Sequence, residues 1–222
     1  VTLSTIGFGM GNYQDTLMEQ LANNGDGNNY YIDSQAQAQR VFVEELGGTM
    51  VTIARDVKIQ VDFNPDSVAA YRLIGYENRD IADKDFRNDR VDAGEVGSGH
   101  NVTALYDVVL KDGYTAELAT VRMRYERPGA DSAAAEKAWT FKDSRLKETP
   151  ILATRDSRIA YAAATFAEIL RGSPHAAEID LLALARFAEQ SARDGEEDDV
   201  ELVALMREAH ALGAGGMALS RR

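Results

Sequence analysis

The chain has 222 residues, 45% apolar and 27% charged, which is the make-up of a folded protein able to bury a real core in one large domain or two small ones. Thirty-six acidic against 24 basic residues leave a formal charge of -12, which repels phosphate backbones and anionic lipid unless a basic patch is segregated; the sequence holds none, so nucleic acid is not an expected partner. The lack of cysteine excludes disulfides, thiolate metal sites and thiol nucleophiles, and no apolar run approaches the ~20 residues that cross a bilayer.

Residues 1 to 48 read as strand, helix, strand, helix: VTLSTIGF, YQDTLMEQLA, NNYYID and SQAQAQRVFVEEL. This is an α/β pattern that calls for parallel strands. Asn12 is a candidate cap for the first helix, Ser34 for the second, and Gly47-Gly48 is expected to end the second. A chain that opens at Val1 inside an apparent strand is expected to be part of a longer protein. A strand left without its neighbours would recruit another chain, so a homo-oligomer joined through this incomplete sheet is expected.

From Thr49 the period changes to two. In DVKIQVDF, Val57, Ile59, Val61 and Phe63 alternate with Asp56, Lys58, Gln60 and Asp62, as in a strand with one wet face. VAAYRLIGYE, NVTALYDVVL and AELATVRMRYE continue the pattern. Turn signals lie at Asn64-Pro65, Gly97 to Gly99 and Asp112-Gly113, so residues 50 to 143 are expected to form an antiparallel sheet or sandwich. Near Pro150 the pattern turns helical. RIAYAAATFAEILRG, AEIDLLALARFAEQSA and DVELVALMREAHALG are three amphipathic helices, separated by Gly172-Ser173-Pro174 and by the acidic turn GEEDD. The fold class is therefore α+β, with an α/β segment over 1–48, an antiparallel β-rich domain over 49–148 and a helical domain over 149–222.

Few residues carry chemistry in a recognisable pattern. GFGMGN followed by a helix, with Asp33 after the next strand, has the layout of a dinucleotide site and gives an alternative reading as a nucleotide-binding enzyme. Its fingerprint fails, because Asn12 stands where the third glycine of G-x-G-x-x-G belongs. Ser98 and His100 in GSGHN are two apart without the G-x-S-x-G elbow, so a glycine-rich hairpin turn explains them. His175 and His210 are scattered, and three histidines without cysteine make no zinc pattern. NNGDGNNYYID is rich in oxygen ligands but lacks the D-x-D-x-D-G order of a calcium loop; Asp26 and Asp33 would be the first ligands to suspect in a cation site. Tyr30 and Tyr31 follow strand propensity. Glu196 to Asp199 read as a solvated run at a helix N-terminus.

The first segment resembles the C-terminal end of a von Willebrand factor type A domain, through Ile6-Gly7, Leu17, Leu21, Ala22, Gly27, Tyr30 to Asp33 and Phe42. VKIQVDFNPDSVAAYRLIGYENR and DAGEVGSGHNVTALYDVV resemble the region that follows this domain in bacterial envelope-associated proteins of the type A family, with RLIGYENR the most specific string. The resemblance implies a protein-binding or scaffolding role, a cell-envelope or periplasmic setting and no catalytic residues. It also implies a Mg²⁺ site built on D-x-S-x-S, a motif that this sequence does not contain. No catalytic, cofactor-binding or metal-ligating residue is therefore assigned to the chain, and no cofactor is expected on it.

Overall fold

The computed structural model describes residues 3–9, 14–44, 51–75, 81–91, 93–129, 134–193 and 195–214. Asn12 and Gly47-Gly48 lie outside the described residues, and so do the caps read there. The elements confirm a mixed α+β protein, and the chain forms two compact units. One holds residues 1–67, 79–102 and 112–142; the other holds 68–78, 103–111 and 143–222.

The first unit opens with β1 (Leu3–Phe8), α1 (Asp15–Asn24) and β2 (Asp26–Ile32), and β1 pairs with β2 in parallel, as the α/β pattern requires. Helix α1 starts after Gln14, whose side chain makes no capping bond. Gly9, after β1, holds φ at 79°, where a side chain would be strained. Thr5 ties the layer together, its hydroxyl bonding to Met18 O at 3.0 Å and to Asn29 Oδ1 at 2.9 Å. Gly27 lets the two strands approach, because a Cβ there would stand 2.1 Å from Leu3 O. Since that neighbour is backbone, Gly27→Ala is expected to cost ~2 kcal/mol, read as a lower urea midpoint with an unchanged slope. Ser34 caps α2 (Gln35–Gln39) by accepting from Gln37 N at 3.2 Å. The helix continues as a π-type turn over Arg40–Glu44.

The same unit carries an antiparallel sheet in the order β5-β3-β7-β8, made of β3 (Thr52–Phe63), β5 (Val96–Gly97), β7 (Glu117–Glu126) and β8 (Ala135–Lys142). β3 bulges between Arg55 and Lys58, where Asp56 sits at φ 47°. Beyond β3 the expected turn forms at Asn64-Pro65. Ser67 is fully buried there, its Oγ 2.7 Å from Thr115 Oγ1 and 2.8 Å from Glu117 O, which locks the turn onto the start of β7.

The alternation in β3 is present, but its sides are not disposed as the pattern implies. Lys58 is 2% exposed and Ile59 is 60% exposed. The cause is the stretch Ile81–Val91, which lies over Lys58 and Gln60 on the polar side, with Lys58 bonded to Asn88 O and Gln60 to Asp83.

In the second unit, β4 (Val68–Ile74) pairs antiparallel with β6 (Leu105–Leu110). Three helices follow: α3 (Arg155–Leu170), α4 (Leu181–Ser191) and α5 (Glu197–Ala211). α3 is capped by Thr154, which accepts from Ser157 N. α4 begins four residues later than its pattern indicates, since Asp180 accepts from Leu182 N at 2.8 Å and Ala183 N at 3.3 Å, and Pro174–Ala176 form a separate tight turn. Ala162 and Phe166 of α3, Leu181, Leu184, Ala185 and Ala188 of α4, and Val203 and Met206 of α5 make the core. Tyr161 meets Phe187 edge to face, with ring centroids 5.9 Å apart. No helix among the described residues is long and apolar enough to cross a membrane.

Candidate functional site

Strand alternation and register put Lys58 and Gln60 of β3, Arg124 and Arg122 of β7 and Glu136 of β8 on one side of the sheet. The covering stretch is pinned to that side by charge. Lys58 donates to Asn88 O at 2.8 Å and to Asp56 Oδ2 at 3.3 Å. Arg124 reaches Asp89 at 2.6 Å, Gln60 reaches Asp83 at 3.3 Å, and Arg87 grips Glu136 with a two-pronged pair of bonds at 2.9 and 2.7 Å. The bonds from Arg87 hold the Glu136 carboxyl below its usual range, and the carboxylate raises the arginine in return. Phe86 is buried beneath these pins. Arg122 pairs with Asp62 beside them.

The other side of the sheet is largely apolar, with Lys137 of β8 among its residues. Register aligns Ile59 with Met123, and Val61 with Val121 and Trp139. Trp139 is 51% exposed and Phe141 is 43% exposed. Sequence reasoning missed this surface. The signal was the alternation K-A-W-T-F-K at residues 137–142, which places the chain's one tryptophan and a phenylalanine on the same side of a strand.

A second polar cluster joins β4, β6 and α3 in the other unit. Glu168 is buried, accepting from Arg72 Nη1 at 2.7 Å and from Ser173 Oγ at 2.8 Å, while Arg72 also pairs with Asp107. The Ser173 hydrogen bond first, then the Arg72 pair, outweigh burial and lower the Glu168 carboxyl from its ordinary value of 4.5. A carboxyl lowered in the folded state contributes stability that is present above its ordinary value and is lost as pH falls through the folded value. Unfolding of this unit is therefore expected to become easier below about pH 4.5, and Glu168→Gln should flatten that acid limb in urea titrations made at successive pH values.

The candidate residues read from sequence do not converge. Ser98 and His100 sit in the turn after β5, closed by Ser98 N–H to Val51 O and His100 N–H to Gly97 O. His175 lies in the tight turn before α4, its N–H bonded to Ser173 Oγ. His210 is in the last turn of α5, at a hollow of about 350 Å³ that Glu178, Ile179 and Asp180 also line. Asp26 opens β2 and Asp33 follows its end, exposed. Asp15, Glu19, Asn28, Asn29 and Tyr30 line a polar hollow of about 340 Å³ beside α1 and β2. No group of three or more His, Asp or Glu residues poised to hold a metal occurs among the described residues.

The run Glu196 to Asp199 does lie at a helix start, but it is not all solvated. Asp199 is buried and accepts from the Arg193 backbone at 2.9 Å and from Arg193 Nε at 3.0 Å. The Arg193 hydrogen bond lowers its carboxyl against the effect of burial. A run of four acids looks uniform in sequence; the turn between α4 and α5 brings Arg193 back onto one of them.

A family model described as "Uncharacterized protein YfbK, C-terminal" matches residues 48–212, starting one residue before the change to period two. The uncharacterized protein YfbK of Escherichia coli (strain K12) is 36% identical over 205 residues, which cover 86% of this chain and 36% of that protein. The chain thus spans little more than a third of the length of this relative. No solved structure matches it. With most of its length covered by the family model, the chain belongs to the family of the YfbK C-terminal region.

Proposed function

We propose that the chain is a non-enzymatic protein-interaction or scaffolding part of a longer bacterial envelope-associated protein, and that residues 1–48 are the end of a von Willebrand factor type A domain. The observation that carries the interaction reading is the apolar side of the four-stranded sheet, with Ile59, Trp139 and Phe141 exposed while Lys58 on the polar side is buried. Contiguous apolar surface of this kind marks binding faces in soluble proteins. The parallel β1–β2 pair joined through α1 supports the type A reading of the first segment. The cation chemistry of that family belongs to D-x-S-x-S, so it is proposed for residues outside this sequence.

Native chain should enhance the fluorescence of an apolar dye such as anilinonaphthalene sulfonate. The double change Ile59→Lys and Phe141→Lys should remove most of the signal without lowering the melting temperature, because both side chains are exposed. A dye-silent native chain would overturn the proposal. The competing enzyme reading is tested in the same instrument: NAD or ATP at 100 times its Kd would add about 2.7 kcal/mol of stability, whereas an interaction module shows no shift.

A further inference from the structure

The four-stranded sheet ends on β8, which is bonded to β7 along one edge and has no partner on the other among the described residues. The strand, AEKAWTFK, contains no proline, and residues 136 to 142 are all exposed. Such an edge presents unpaired N–H and C=O groups that another strand can take up. We propose that the occupant is the same edge of a second copy, paired antiparallel about a twofold axis at Trp139.

The sequence of β8 is self-complementary in that register. With Trp139 opposite Trp139, Glu136 falls opposite Lys142 of the second copy, Lys137 opposite Phe141 and Ala138 opposite Thr140, each pair occurring twice. Opposite charges, a cation beside a ring and paired aromatics are the cross-strand neighbours that stabilise antiparallel strands. A twofold that keeps both apolar sides on one face allows the register to move only in steps of two residues. A step one way leaves Glu136 opposite Thr140, and a step the other way carries it past the end of the partner strand, so only the Trp139-centred register matches the charges. Glu136 already accepts from Arg87 on both oxygens. Each oxygen keeps a further lone pair for a lysine. Pairing of the two edges doubles the sheet and makes its apolar side continuous across both copies.

This inference goes beyond the interaction reading and does not depend on it: it concerns a backbone edge, and a dye-silent face would leave it standing. The chain has one tryptophan and no cysteine, so both can serve as reporters. Sedimentation of the unaltered 222-residue chain across the micromolar range should show a monomer–dimer equilibrium, with the Trp139 emission moving to shorter wavelength along the same curve. Under mild oxidation, Trp139→Cys should give a disulfide-linked dimer, because directly opposed strand residues lie within disulfide reach. Thr140→Cys, opposite Ala138 and on the other side of the sheet, should not. Lys142→Glu opposes two carboxylates at each end and should raise the dissociation constant about tenfold or more at low salt, with an unchanged circular dichroism spectrum. A chain that stays monomeric throughout, or a dimer that Trp139→Cys fails to cross-link in preference to Thr140→Cys, would overturn the proposal.

Discussion

Leu181→Ala is expected to destabilise the helical unit by about 3 kcal/mol, with a fall in melting temperature of roughly 10 °C. Leu181 opens α4 and is among the largest fully buried side chains. It belongs to the cluster formed with Phe166 of α3 and Met206 of α5. Removing three carbons there leaves a cavity between helices whose close approach depends on alanines at 162, 185 and 188, and these offer no flexible side chain to refill it. The matched control is Leu170→Ala at the end of α3, where the side chain is 57% exposed and the expected change is within about 0.5 kcal/mol. Chemical unfolding followed at 222 nm reads both, and equal effects at the two positions would show that this core is not where the helices draw their stability.

Phe86→Ala is expected to release the stretch Ile81–Val91 from the polar side of the sheet, at a cost of about 3 kcal/mol to that local structure. Phe86 is the buried apolar anchor of a segment that is otherwise held by polar contacts. Hydrogen exchange should show residues 81–91 losing protection while α3 to α5 keep theirs, since opening is local where the burial is local. Once the stretch lifts, Lys58 gains water and loses the Asn88 carbonyl. Arg87→Ala, which removes an exposed pairing with Glu136 and a contact 5.8 Å above the Phe86 ring, should lower stability by no more than about 1 kcal/mol and leave residues 81–91 protected. Loss of protection spread evenly over both units would contradict the local role of Phe86.

The elements that depend on local pattern were legible in the sequence. The strand–helix–strand opening, the Ser34 cap, the turns at Asn64-Pro65 and Asp112-Gly113 and the three C-terminal helices all follow from period and turn chemistry within a few residues of each other. What period two cannot state is which side of a strand is covered. Ile59 and Lys58 alternate as expected, but the cover comes from Asn88 and its neighbours, 30 residues further along. Glu168 shows the same limit. Its place on α3 reads as polar surface, and it is buried because Arg72, 96 residues earlier, arrives on β4 to neutralise it. The candidate surface was hidden for that reason: the sequence named no site residue, and Trp139 and Phe141 gain significance only once Lys58, on the opposite side of the sheet, is known to be buried.

The two units are threaded rather than joined end to end. The chain leaves the first unit for residues 68–78, returns, and leaves again for 103–111 before it crosses for the last time after residue 142. No single cut can therefore part them. During synthesis, β4 and β6 leave the ribosome well before the helix that carries Glu168, so Arg72 and Asp107 wait without that partner until α3 has been made. An isolated pair of strands is barely stable in water. A ribosome pausing between residues 142 and 155 would therefore expose the β4–β6 pair to whatever else in the cell takes up unpaired strands.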